Sequence, residues 1–155
     1  MNDKAKFDTA AAAKAFMLAG NATVTLVSLR TGTRFTYKIR AADDGQCHFV
    51  SLLNGPNNEN DYKYLGRIAR DIFFAGRKSP RAGDIGALAP SSKGFAFTWQ
   101  ALVQDVLPAS LEIWHEGKCG RCNRKLTVPS SIASGFGPEC ADRIGVAAMR
   151  EDYGA

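Results

Sequence analysis

The chain predicts an α+β fold that ends in a small cysteine-anchored module, and three observations carry this reading. Residues near the start are alanine-rich at helical spacing, and segments rich in β-branched residues follow, separated by tight turns. Of the four cysteines, three fall between positions 119 and 140. A chain of 155 residues can bury about two-thirds of the surface its unfolded form exposes, and 45% apolar content fits such a core. Lysine and arginine outnumber aspartate and glutamate by 20 to 15, a formal charge of +5. That balance suits nucleic acid or an acidic protein as partner.

Residues Thr9–Ala19 contain Phe16, Met17 and Leu18 among alanines, and Gly20-Asn21 supplies a stop. This predicts one short amphipathic helix packed on the body of the domain. Thr23–Arg30 is rich in β-branched residues, and Thr31-Gly32 turns the chain into Thr33–Arg40. In that second strand Phe35, Tyr37 and Ile39 alternate with Arg34, Thr36, Lys38 and Arg40, so apolar and basic sets take opposite faces. Asp43-Asp44-Gly45 is a further turn, Cys47–Leu53 a third strand, and Gly55-Pro56-Asn57-Asn58 breaks it. An antiparallel meander is expected. Tyr62–Ile68 reads either as a fourth strand or as the approach to a helix over Arg67–Phe74.

Gly76–Pro90 is rich in glycine, proline, serine and arginine and reads as a loop. Ser91 or Ser92 can cap a helix whose apolar face is Phe95, Trp99, Leu102, Val103 and Val106, ended by Pro108. Leu111–Trp114 reads as a short strand leading into the cysteines. The expected division is residues 1–110 as the α+β domain and 111–150 as a finger module packed on it.

Ala10–Gly20 is broken by Lys14, too short to span a bilayer, and preceded by Asp3 and Asp8. A cytoplasmic protein without a membrane partner is therefore expected, in the cytoplasm of a bacterial host cell on the resemblance given below. In a reducing compartment, closely spaced thiols point to metal ligands rather than disulfides. Cys119-Gly-Arg-Cys122 has the shape of a zinc knuckle, since two thiolates three residues apart converge on one tetrahedral ion. Gly135-Phe-Gly137-Pro138-Glu-Cys140 permits a sharp reversal with Pro138 in a first helical turn, and Leu126–Ile132 can make a hairpin between the two. Knuckle, hairpin and helix-start cysteine predict a treble-clef-like or ribbon-like zinc finger.

Three cysteines leave a closed Zn2+ site one ligand short. His115, four residues before Cys119, is the expected fourth, with Cys47 and His48 as rival donors. A complete ligand set makes the site structural rather than catalytic.

The run Cys119-Gly-Arg-Cys122-Asn-Arg-Lys-Leu126-Thr-Val-Pro129-Ser-Ser131-Ile, with its ending Gly135-Phe-Gly137-Pro138-Glu-Cys140-Ala, resembles a zinc-finger-like domain of unknown function. That family occurs in bacteriophage and bacterial mobile-element proteins. The resemblance spans about residues 114–142. Thr31–Tyr37 and Asp61–Gly66 are similar to N-terminal regions that accompany such fingers. It implies three cysteines and a preceding histidine at the site, and brings no known activity.

Arg34, Lys38 and Arg40 can track a phosphate backbone, with Tyr62 and Tyr64 available to stack on bases. Arg121, Arg124 and Lys125 decorate the knuckle. The pattern contains no P-loop, no dinucleotide glycine turn, no nucleophile elbow and no HExxH helix. A binding protein is expected rather than an enzyme, with no small-molecule substrate, contacting nucleic acid through its basic surface. The alternative is a phage or mobile-element protein that binds and inhibits a host protein, such as a defence-system (anti-CRISPR-like) target.

Overall fold

The computed structural model describes residues 5–56, 61–76, 85–127 and 129–144. Strands β1 (Ala5–Lys6), β2 (Asn21–Ser28), β3 (Arg34–Ala41), β4 (His48–Leu53), β5 (Tyr62–Ala69), β6 (Ile72–Ala75) and β7 (Leu111–His115) form one sheet in the order β1-β7-β2-β3-β4-β5-β6. Every pairing in it is antiparallel. Helices α1 (Ala10–Met17) and α2 (Pro90–Val103) lie against one face, and α3 (Pro129–Ser134) and α4 (Pro138–Ile144) follow the knuckle. The expected meander is real, but it is the middle of a larger sheet. The strand over Leu111–Trp114, expected to lead into the cysteines, is inserted between β1 and β2.

Local chemistry explains most elements. Thr9 adopts an extended conformation and its hydroxyl accepts the Ala12 N–H, which fixes the start of α1. β3 alternates as its sequence demands: Tyr37 and Ile39 are fully buried while Arg34 and Arg40 are exposed. The Tyr37 hydroxyl donates to the Ser91 carbonyl at 2.7 Å, and its ring meets Phe95 at 5.0 Å. These contacts seat α2 on the sheet, with Phe95 also against Phe73 of β6 at 4.8 Å.

Four expectations need correction. The alternative helix over Arg67–Phe74 is a β-hairpin, turned by Arg70 and Asp71 at φ 52° and 61°. Two left-handed residues between paired strands make the turn whose twist matches the sheet, although neither is the usual asparagine or glycine. Trp99, buried under the sheet, donates its indole N–H to the Asp71 carbonyl and helps hold that turn. Secondly, α2 is not capped by Ser91 or Ser92. Ala89 occupies the cap position without a side-chain bond, Pro90 begins the helix, and both serines are buried inside it. Thirdly, α2 ends at Val103, well before Pro108, with Asp105 left-handed just beyond. Val103 and Val106 are exposed rather than part of its core face. Finally, Pro129–Ser134 is helical, so no hairpin spans Leu126–Ile132. The small antiparallel bridge of the finger, Lys118 with Lys125, lies within the knuckle itself.

Candidate metal centre and basic surface

The knuckle is built by backbone hydrogen bonds around Cys119. Its N–H donates to the Arg124 carbonyl at 2.8 Å, and its carbonyl accepts the Asn123 N–H at 2.9 Å. Asn123 is left-handed at φ 66°, a conformation asparagine tolerates better than most residues. Gly120 is required for a different reason from turn geometry: a side chain there would meet the Phe16 ring at 2.7 Å. The Gly120 N–H also donates to the Gly135 carbonyl, which brings the second glycine turn and then Cys140, in the first turn of α4, back to the knuckle.

The sulfur atoms of Cys119, Cys122 and Cys140 all lie within 4.8 Å of one another. Thiolates bound to one tetrahedral ion at about 2.3 Å stand about 3.8 Å apart, so the cluster fits a single metal. Cys119 and Cys140 are buried and Cys122 is exposed. Burial pushes the Cys119 thiol up, but hydrogen bonds from the backbone of Cys122, Gly137 and Arg121 outweigh it and hold the thiol below its ordinary range. Burial raises the Cys140 thiol, and the Arg121 guanidinium, donating to its sulfur at 3.6 Å, acts in the opposite direction. Amide and guanidinium donors aimed at sulfur are what a thiolate cluster needs. It is the one cluster of metal-ligating type among the described residues.

His115 is brought close to the knuckle but not into this cluster. It is fully buried, with Phe7 and Phe16 ring centroids at 5.8 and 5.9 Å. Its Nδ1 accepts the Gly117 N–H at 3.0 Å and its Nε2 faces the Ile132 carbonyl. With both ring nitrogens engaged by backbone, the histidine ties the strand β7 to the knuckle and to α3. The rivals are also elsewhere: His48 Nε2 meets the Leu18 carbonyl at 3.0 Å, and Cys47 stands outside the cluster. Position 143, one turn beyond Cys140, falls among residues whose side chains are not described.

The basic residues divide into two groups. Arg121, Arg124 and Lys125 surround a cleft that reaches Cys122 and Cys140. Arg34, Lys38 and Arg40 share the sheet face opposite the helices, but not one place on it. Arg34 and Arg40 are six residues apart along β3, about 20 Å. Lys38 lies over the Tyr62 ring at 4.8 Å. Arg40 adjoins the finger, since it is the cross-strand partner of Asn21, whose N–H donates to the Gly120 carbonyl at 2.8 Å. The register also exposes Phe49 opposite Arg40, a residue whose surface role has no signal in sequence periodicity.

Among the described residues no helix is long and apolar enough to cross a membrane. No curated protein and no solved structure matches the chain. Residues 111–145, which run from β7 through the knuckle to α4, match the model of a family described as a family of unknown function, DUF6011.

Proposed function

We propose that the chain is a non-catalytic zinc protein that binds nucleic acid through the basic surface around its knuckle. The observation that carries this reading is the convergence of three cysteines at a cleft lined by Arg121, Arg124 and Lys125. Thiolate donors favour a soft or borderline ion, and zinc is the one that three thiolates and a fourth ligand hold as a structural centre without redox chemistry. The three cysteines supply all but that fourth ligand. The ion's role is to fix the knuckle, so that three cations are presented on a backbone that cannot collapse. Cationic side chains on a rigid turn suit phosphate contacts, which position a nucleic acid without reading its sequence.

The test is the salt dependence of binding, followed by fluorescence anisotropy with short oligonucleotides at two salt concentrations. Each phosphate contact releases condensed counterions, so affinity is expected to fall steeply with salt. Arg124→Ala with Lys125→Ala, which leave the Arg121–Cys140 contact in place, should reduce the slope by about one unit per lost contact. Absence of binding at low salt would remove nucleic acid as the partner.

A second reading, inhibition of a host protein, is favoured by a different surface. Leu88, Phe97 and Val103 are 63%, 59% and 38% exposed on and beside the outer side of α2. Apolar groups there suit a protein contact and would give shallow salt dependence with a hot spot at Phe97.

A further inference from the structure

The sheet face turned away from the helices carries an ordered row of side chains. Arg40 of β3 pairs with Phe49 of β4, Phe49 with Arg67 of β5, and Arg67 with Phe74 of β6. Directly opposed residues share a face, so cation, aromatic, cation and aromatic alternate across four strands at about 5 Å per step. A β-bulge makes this possible. The register shifts between Val50 and Ser51, so that Ser51 opposes Tyr64 whereas Val50 opposes Gly66. Leu65 and Gly66 are both buried, and the phase change returns Arg67 to the same face as Tyr64. Tyr64 then joins the row from the side, with its ring 6.3 Å from that of Phe49.

These aromatics are not covered. Phe49 is 42% exposed, Phe74 44% and Tyr64 52%, while Arg40 and Arg67 are exposed beside them. The Arg67 guanidinium sits 5.0 Å from the Phe74 ring centre, so it is held in place over the face. The row also has a direction. It starts at Arg40, whose neighbour Asn21 is hydrogen-bonded to the knuckle at Gly120, and runs away from the finger to the edge strand β6.

We propose that this row is a platform for single-stranded nucleic acid, with unpaired bases stacked on Phe49, Phe74 and Tyr64 and phosphates held by Arg40 and Arg67. The proposal rests on the nucleic-acid reading above and names the form that is bound. Every base has a face that can stack on an aromatic ring, and cations spaced between rings match a backbone that carries one charge per nucleotide. An open sheet face with exposed aromatics can stack two or three bases in this way. A duplex does not fit it, because its bases are already stacked and its major groove admits a helix or a two-stranded ribbon rather than a broad sheet. An apolar protein surface would strip water from Arg40 and Arg67 without supplying anions, whereas phosphates supply them. The knuckle cations then extend the path beyond Arg40.

The test uses the full zinc-loaded chain and fluorescein-labelled oligothymidine and oligouridine of about a dozen nucleotides, with a duplex of the same length as comparison. Single strands are expected to bind more tightly than the duplex. Phe49→Ala and Phe74→Ala should each weaken single-strand binding by roughly 5- to 150-fold, the range for loss of one stacked base, and leave the duplex unchanged. Both side chains are exposed, so the fold should survive, and far-UV circular dichroism checks this. Phe49→Leu keeps apolar bulk without a ring and should lose as much as alanine, while Phe49→Tyr should retain binding. Equal or tighter binding of the duplex overturns the platform, as does leucine behaving like phenylalanine, with the knuckle reading left standing. If no oligonucleotide binds at all, both readings fall together.

Discussion

Cys119, Cys122 and Cys140 show how far spacing alone can be trusted. A C-x-x-C turn brings its own two sulfurs together, and a glycine-rich reversal with a proline-started helix can deliver a third. Such local geometry is legible in the chain. Cys122→Ser or Cys140→Ser should therefore abolish retention of one zinc per chain, read by elemental analysis of protein purified without chelators. His115 was not legible in the same way, because a histidine's partners are set by what packs around it. Here those are a backbone N–H, a backbone carbonyl and two phenylalanine rings. His115→Ala is expected to keep the metal-to-protein ratio while costing about 2–4 kcal/mol of stability. The cost comes from the cavity and from backbone groups left without partners. Loss of zinc from a variant that stays folded would instead make it a ligand.

At the level of elements, strands with regular alternation were readable and those with a phase break were not. β2 and β3 follow a period of two, and the Thr31-Gly32 turn joins them as the chain suggests. The segment Tyr62–Ala75 defeats any simple period because the bulge at Leu65 and Gly66 shifts it midway. The turn that follows carries no asparagine or glycine, so the hairpin depends on contacts from outside it. The Trp99 indole binds the Asp71 carbonyl, Lys14 pairs with the Asp71 carboxylate at 3.4 Å, and Phe73 packs on Phe95. An ordinary residue forced left-handed costs energy that asparagine largely avoids. Arg70→Asn should thus stabilise the protein by roughly 0.5–1 kcal/mol in denaturant unfolding, with an unchanged denaturant slope. A destabilised variant would mean that the Arg70 side chain contributes more than its backbone strain removes. Gly66 marks the same region, since a side chain there would meet the Phe73 ring at 2.8 Å. α3 was missed because Pro129 and the following serines suit a turn and a helix start equally well.

For the molecule as a whole, the question is whether the finger stands on its own. Leu126, Phe136, Cys140 and Ala141 belong to the same buried cluster as Phe16, Val24 and Ile113. Phe16 of α1 is 5.6 Å from Phe136 and would collide with any side chain at Gly120 or Gly135. β7 enters the knuckle directly from a position inside the sheet, and Asn21 of β2 is hydrogen-bonded to Gly120. Metal binding in small fingers supplies on the order of 10 kcal/mol of apparent free energy, comparable to the total stability of a domain this size. Releasing the knuckle would uncover one side of Phe16, which packs under the sheet, so the loss should reach the rest of the core. Zinc removal by a chelator is accordingly expected to lower a single unfolding transition, seen at the same temperature by far-UV circular dichroism and by tryptophan fluorescence. Trp99 lies beneath the sheet, and in a Trp114→Phe background, which removes the second tryptophan at the knuckle end of β7, fluorescence reports the distant part. Re-addition of zinc should restore the transition. If instead the fluorescence transition stays in place while the metal leaves, the finger is an independent unit. The shared Phe16 core would then contribute far less than its burial implies.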